Sequence, residues 1–237
     1  MSKVLVATFN AKKLKLEAAL KENGYPKSVL VRMGGVMDYP DYKVQINSIQ
    51  GTLNCIDKLR SKEILRGAGL PTLDFFDKPI DFPFVMKGRN RSRGSSVFMV
   101  ENMGEFEAYK KILRYGFYVE PYFSYTSEYR LHCTNKEVFF AVKKKKDEGR
   151  ENDLFINADN HTNHRDFLKP RLWEDIKKAS VKAVKQQGLE IACVDIGYSS
   201  EGNHKLVIHE HNNSPELRTN TFNAYVEALD NLIKEKL

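Results

Sequence analysis

Apolar and polar positions along the chain fall into short blocks whose spacing changes from two to about 3.6 residues and back, the mark of alternating strands and helices. "KVLVATF" near the start reads as a strand. Residues 11 to 23 read as a helix ended by Gly24 and Pro26, and "SVLVRM" as a second strand, which together predict one βαβ unit. An irregular stretch holding Gly34, Gly35 and Pro40 follows. Residues 52 to 66 have helical spacing and stop at "GAGLPT", where Gly67, Gly69 and Pro71 are all breakers. "FPFVMK" and "SSVFMV" predict two strands joined by a polar loop at 88 to 94, followed by a helix over 104 to 114. "FYVEPYF", "YRLHCT" and "EVFFAVKKKK" are strand-like, and a loop rich in Asn, Asp and His runs from there to Pro170. Helices are expected over about 171 to 187 and 221 to 236. The last carries Phe222, Tyr225, Val226, Leu229, Leu232 and Ile233 on one face, the pattern of a helix packed on a core. The fold class is α+β with mixed sheets.

Between those two helices lies "DIGYSSEGNHKLVIHEHNN", residues 195 to 213, two apolar runs about a polar turn. Gly202-Asn203 suits a two-residue hairpin loop, and counting outward from it in step sets Asp195 opposite Glu210. Alternation adds Asn212 to their face and turns His209 and His211 away. Directly opposed side chains lie about 4.5 to 5.5 Å apart at Cβ, where like charges destabilise a sheet. Two readings answer this. A hard divalent cation such as Mg²⁺ takes carboxylate and amide oxygens and keeps other positions for water or phosphate. Alternatively the acids pair with some of the 38 basic residues, or a longer turn shifts the register and separates them.

Composition narrows the classes. A chain of 237 residues, 41% hydrophobic, can bury a full core, and no apolar run approaches the length of a membrane span. The opening residues fit a first strand better than a cleaved secretory signal, so the expected location is cytoplasmic. Cys55, Cys133 and Cys193 have no metal-like spacing and read as reduced core thiols. A net charge of +7 favours anionic partners without choosing among nucleotides, nucleic acid and acidic peptides. Lys87 emerges from an apolar strand beside a loop containing Gly88, Arg89, Arg91, Arg93 and Gly94, a setting that suits a phosphate. "SEYRLH" puts Glu128, Arg130 and His132 on one strand face.

The order of these pieces, "NCIDK" then "AGLPT", "FVMKGRNRSRGSSV", "VEPYF" with "SEYRLH", "FFAVKK", Asn157, "CVDIG" and "IHEHNNSPEL", resembles the ATP-grasp superfamily. It is most similar to the branch of ribosomal-protein glutamate ligases and their relatives. The resemblance runs from about residue 47 to the C-terminus, and "HEHNNSP" after a paired Asp is its most specific part. It implies two α+β subdomains gripping ATP, over residues 47 to 115 and 116 to 237, after a shortened α/β segment at 1 to 46. By position, Asp195, Glu210 and Asn212 would hold two Mg²⁺ ions, or Mn²⁺ in their place, and Lys58 and Lys87 would contact the ATP phosphates. The loop with Ser92, Gly94 and Ser95 would cover the triphosphate. Glu120, Pro121, Tyr122 and Phe123 would form the adenine hinge, with Glu128 on the ribose and Asn157 completing the site. Arg130 and Lys144 would be catalytic, near the transferring phosphoryl group and the oxyanion.

The implied activity is ATP-dependent ligation of a carboxylate to an amine through an acylphosphate, with small substrates or an acidic peptide or protein as acceptor. This sequence departs from the family pattern in three places: Lys144 stands where an arginine is usual, Ser96 where a second glycine is common, and the segment before "NCIDK" is short. Two rivals carry different chemistry. One is an ATP-grasp kinase or a ligase using a thiol. The other is a nucleic-acid binder gripping phosphates through the loop arginines and Lys143 to Lys146, with Tyr115, Tyr122 and Tyr125 for stacking. The opposed acids would repel a polyanion.

Overall fold

Val4–Ala7 (β1), Val29–Arg32 (β2) and Val44–Ile46 (β3) pair side by side in parallel, with Leu14–Lys21 (α1) as the first crossover. The computed structural model describes residues 3–8, 14–89, 96–114, 116–146, 161–164, 170–200 and 206–237. All four residues of β2 are buried, as a central parallel strand covered on both faces requires. Leu16 and Leu20 of α1 share that core with Tyr225, Leu229, Leu232 and Ile233 of the C-terminal helix α6, Thr219–Lys236. The apolar stripe read from the sequence of α6 therefore packs as its spacing predicts. β3 lies in the stretch that looked irregular, because three residues are too few to show a period.

A second sheet has the order β5-β4-β6, antiparallel throughout, from Phe84–Gly88 (β4), Val97–Val100 (β5) and Phe117–Pro121 (β6). Met103–Ile112 (α4) starts at Asn102, whose side chain accepts from the Glu105 N–H. Its Phe106 joins Phe84, Met86, Val100, Leu113 and Val119 in a core of their own. β6 thus belongs with the strands before it, although it follows residue 115, where the sequence reading began the second subdomain.

The third sheet has five strands in the order β11-β10-β7-β8-β9: Ser127–Thr134 (β7), Val138–Lys146 (β8), His161–His164 (β9), Ile191–Tyr198 (β10) and Leu206–Asn212 (β11). β9 replaces part of the predicted loop. Tyr129, Leu131, Val194, Ile196 and Ile208 turn one face of this sheet toward Ile176, Ala183 and Val184 of α5, Pro170–Gln186. The period of two then leaves Glu128, Arg130, His132 and Asp195 on the opposite face, so the core and the candidate site are two sides of the same strands.

The helix predicted over 52 to 66 is two helices, Ile49–Ile56 (α2) and Lys58–Gly67 (α3). Asp57 divides them: its backbone is extended and its side chain accepts from the N–H groups of Leu59 and Arg60, which caps α3 and ends α2. Both helices are fastened to the turn before β10. Gln187 Nε2 donates to the Ser61 carbonyl at 3.0 Å, and Gly51 lies so close that a Cβ there would sit 2.3 Å from the Gly188 carbonyl oxygen. All three cysteines are free and buried. Among the described residues no helix is long and apolar enough to cross a membrane.

Candidate active site

Asp195 and Glu210 are register partners across β10 and β11, and Arg130 of β7 is the partner of Asp195 on its other side. The alignment expected from the sequence is therefore present at the acids. It does not extend to the hairpin tip: the next pair is Ile196 with Ile208, so a β-bulge absorbs His209. The tip itself, with Gly202 and Asn203, lies outside the described residues. The bulge corrects one expectation. His209 does not turn away from the acids. Its Nε2 would lie 2.3 Å from a Cβ on Gly197, which faces the same side as Asp195, and its ring centroid is 5.3 Å from that of Tyr125 and 6.0 Å from that of Phe123. His211 does turn away, with Nδ1 3.4 Å from the Ser61 hydroxyl on α3.

The opposed carboxylates are neutralised by the chain's own bases. Arg130 donates from Nε and Nη2 to the two oxygens of Asp195 at 2.7 and 2.6 Å. Lys144 reaches Asp195 Oδ2 at 3.0 Å and also pairs with Glu128. Lys58, the first residue of α3, sits 3.0 Å from Glu210 Oε2. A second cluster lies where α3 meets the three-stranded sheet. Glu120, fully buried near the end of β6, faces Lys87 of β4 at 2.6 Å and Lys62 of α3. Four carboxylates and five cations thus converge from four strands of the large sheet, two of the small sheet and one helix, leaving one net positive charge for an incoming anion.

Sequence reasoning missed Lys62. The available signal was its position four residues after Lys58, on the same face of α3.

Solved structures share this architecture. A D-alanine–D-alanine ligase from Bacillus anthracis superposes with a TM-score of 0.72 at 16% identity, over 100% of this chain and 97% of that one. The ATP-grasp ligase PsnB, complexed with minimal precursor, matches with a TM-score of 0.71 at 13% identity, over 98% of this chain and 99% of that one. The chain has the ATP-grasp fold. The VanG D-Ala:D-Ser ligase from Enterococcus faecalis gives 0.66 at 14% identity, over 88% of this chain and 73% of that one. No family model and no curated protein matches the sequence.

On the ATP-grasp fold the sequence-predicted residues fall into three groups. Lys58, Arg130, Lys144, Asp195, Glu210 and Glu128 are joined by the ion pairs above, and Glu120 and Lys87 form the neighbouring cluster. Pro121, Tyr122 and Phe123 follow Glu120 directly at the end of β6, with Tyr122 exposed. Ser92, Gly94, Ser95 and Asn157 lie outside the described residues, as does Tyr115. Ser96, at the edge of the loop, is buried against Gly88, where a Cβ would meet its side chain at 3.0 Å.

Asp195, Glu210 and Asn212 offer two carboxylates and an amide oxygen, a donor set that fits Mg²⁺. In the present arrangement Arg130, Lys144 and Lys58 hold the carboxylates, and Asn212 Oδ1 accepts from the Ser214 N–H at 2.8 Å. Among the described residues there is no cluster of three or more His, Cys, Asp or Glu suited to a metal, so the third ligand would have to be the amide.

Burial and charge act against each other here. Burial would raise the Asp195 carboxyl, but Arg130 and Lys144 outweigh it and hold it far below the usual range. Burial would likewise raise Glu120, and Lys62 and Lys87 bring it down to about 2. Glu128 goes the other way, pushed up by burial and by facing Asp195. Burial also drops His132 and His209 to about 3 and His211 to about 4, with Arg130 adding to the effect at His132 and Lys87 and Lys62 at His209.

These histidines set a pH dependence. Each stays neutral in the fold while its unfolded counterpart takes a proton near pH 6.5, so the unfolded chain binds more protons below that pH. Their contribution to stability is complete above pH 6.5 and is lost as pH falls toward 4. Each contributes a slope of about 1.4 kcal/mol per pH unit at most. Urea unfolding midpoints measured at pH 7.5, 6 and 5 are expected to fall steeply with acid. An unchanged midpoint would mean that the rings accept protons without leaving their places.

Proposed function

We propose that the protein is an ATP-dependent ligase that joins a carboxylate to an amine through an acylphosphate. The observation that carries this reading is the Asp195–Glu210 pair, with Asn212 beside it, ringed by Lys58, Arg130 and Lys144 at the junction of the two antiparallel sheets. The similarity in fold to ligases acting on amino acids and on a precursor supports it. Phosphoryl transfer needs little covalent chemistry from a protein. It needs positioned positive charge around a triphosphate and its acceptor, and that is what these side chains supply.

The residues take their roles from where they stand. Lys58, paired with Glu210, and Lys87, paired with Glu120, would contact phosphate oxygens. Phe123 and Tyr125, against the His209 ring, would form the apolar wall for the adenine after the Glu120–Pro121 strand end. Mg²⁺ or Mn²⁺ on Asp195, Glu210 and Asn212 would screen the phosphate charge. A substrate carboxylate oxygen attacks the γ-phosphorus and ADP leaves; the amine nitrogen then attacks the acyl carbon, losing a proton as inorganic phosphate departs. Arg130 and Lys144, both donors, would balance the oxyanion of that second step. Lys144 does this as a point charge, without the planar fork of an arginine. It is also buried in an ion pair, which takes it out of any basic stripe for nucleic acid. The three buried thiols are consistent with a cytoplasmic location.

The test is ADP release with Mg-ATP against pooled carboxylates and amines, with hydroxylamine added to trap the acylphosphate as a hydroxamate. Hydroxamate with ADP supports the ligase. ADP formed with alcohol acceptors and no hydroxamate would point to a kinase, and dependence on coenzyme A to a thiol ligase. Silence in every pool would reject the reading.

A further inference from the structure

Arg32 is the last residue of β2, at the carboxyl end of the parallel sheet, where ligands commonly sit in α/β folds. It is 1% exposed. Its Nη1 donates to Gln45 Oε1 at 2.8 Å and to the Asn47 carbonyl at 3.2 Å, both neutral acceptors. Among the described residues its Nε has no hydrogen-bond partner. Its Nη2 has only the surface carboxylate of Asp38, at 3.9 Å and on a side chain that is 72% exposed.

The other paired arginines show what is missing. Arg130 grips Asp195, and Arg89 grips Asp57, each through the same Nε and Nη2 edge. That edge is the planar fork that matches the two oxygens of a carboxylate. In Arg32 the guanidinium is held from behind by Gln45 and Asn47, and among the described residues the Nε of its fork meets no acceptor. A buried guanidinium without a matching anion is costly, and burial pulls its pKa down. The backbone around Arg32 is linked to the active site. Gly34, two residues on, lies against Ser214, whose N–H holds Asn212, and the side chain of Asn47 ties the Arg32 carbonyl to β10 through Ile191.

We propose that the Nε and Nη2 edge of Arg32 binds a carboxylate that does not react. Given the ligase reading, on which the assignment to substrate rests, one substrate then carries a free carboxylate besides its reacting group, as an amino acid or a peptide C-terminus does. Asp38 is a placeholder that the ligand displaces.

The experiment titrates ¹⁵N-labelled protein with N-acetylalanine and, separately, with N-acetylalaninamide, which differs only in lacking the carboxylate. The Arg32 Nε–H resonance is assigned by through-bond correlation from its own backbone and followed by NMR. A saturable downfield shift with the acid and none with the amide is expected. Arg32→Lys, which keeps the charge and loses the fork, should weaken binding about tenfold or more. Asp38→Asn should tighten it. An Nε–H signal that ignores the acid, or that moves only in Asp38→Asn, overturns the proposal, the second case meaning that Asp38 fills the fork itself. The readout needs no turnover. A shift without any ADP release would leave the fork standing and sink the ligase; ADP release without a shift would do the reverse.

Discussion

Asp195→Asn is expected to abolish Mg-ATP turnover and at the same time to lower stability by about 3 kcal/mol. The sequence alone argues the opposite sign for stability, because two like charges facing each other across a hairpin should welcome the loss of one. The structure reverses it. Asp195 is the shared partner of Arg130 and Lys144, and all three are largely removed from water. An amide keeps the shape but offers neither cation a full charge, so Arg130 loses its paired carboxylate and Lys144 keeps only its pair with Glu128. Urea unfolding and a coupled ADP assay, run on the same preparation, separate the effects: Mg-ATP added to the wild type should raise its midpoint, whereas the variant should show no such gain. Wild-type ADP release by the variant would remove Asp195 from the chemistry.

Glu120→Gln should cost a similar amount, roughly 3 to 5 kcal/mol at pH 7, for a different reason. Glu120 is the counter-charge for both Lys62 and Lys87, and Lys62 is buried. Burial already pulls Lys62 below the ordinary lysine range, and Glu120 opposes that pull. Without the carboxylate, the folded form favours neutral Lys62, so its folded pKa falls further below the unfolded value near 10.4. A depressed pKa means that stability is lost as pH falls below that value and recovered as pH rises toward it. The variant's deficit should therefore shrink between pH 7 and 9.5, because the wild type, whose Lys62 is less depressed, gains less over the same interval. A deficit independent of pH would mean that Lys62 keeps its proton, with some other anion taking the place of Glu120.

How much of this could be read from the sequence depends on the range of the interaction. The pairing of Asp195 with Glu210 and the buried stripe of α6 are set by periods of two and 3.6 residues, and both are present as expected. The division of the helix at Asp57 was also written locally, as an Asp two and three residues before the N–H groups it caps, but it was masked by continuous helical spacing on both sides. The bulge at His209 has no such mark, because one unpaired residue becomes defined only by what packs on it: Gly197, Phe123 and Tyr125. The Lys62–Glu120–Lys87 group joins residues 25 to 58 positions apart through the meeting of α3 with the small sheet, and only tertiary packing brings them together. For the same reason the basic residues that neutralise the two acids could be counted in the composition but not named.

β10 runs unbroken against β7 from Ile191 to Tyr198, so the position of Asp195 is fixed from the interior of the sheet and not from the hairpin tip. β11 meets Asp195 in one register and Ile196 in another. A length change at the tip can be taken up at that dislocation without sliding Glu210 past its partner. The stretch between Tyr198 and Leu206 is therefore the natural place to insert a reporter peptide or to graft a longer loop, since the spacing of the carboxylates is insulated from it.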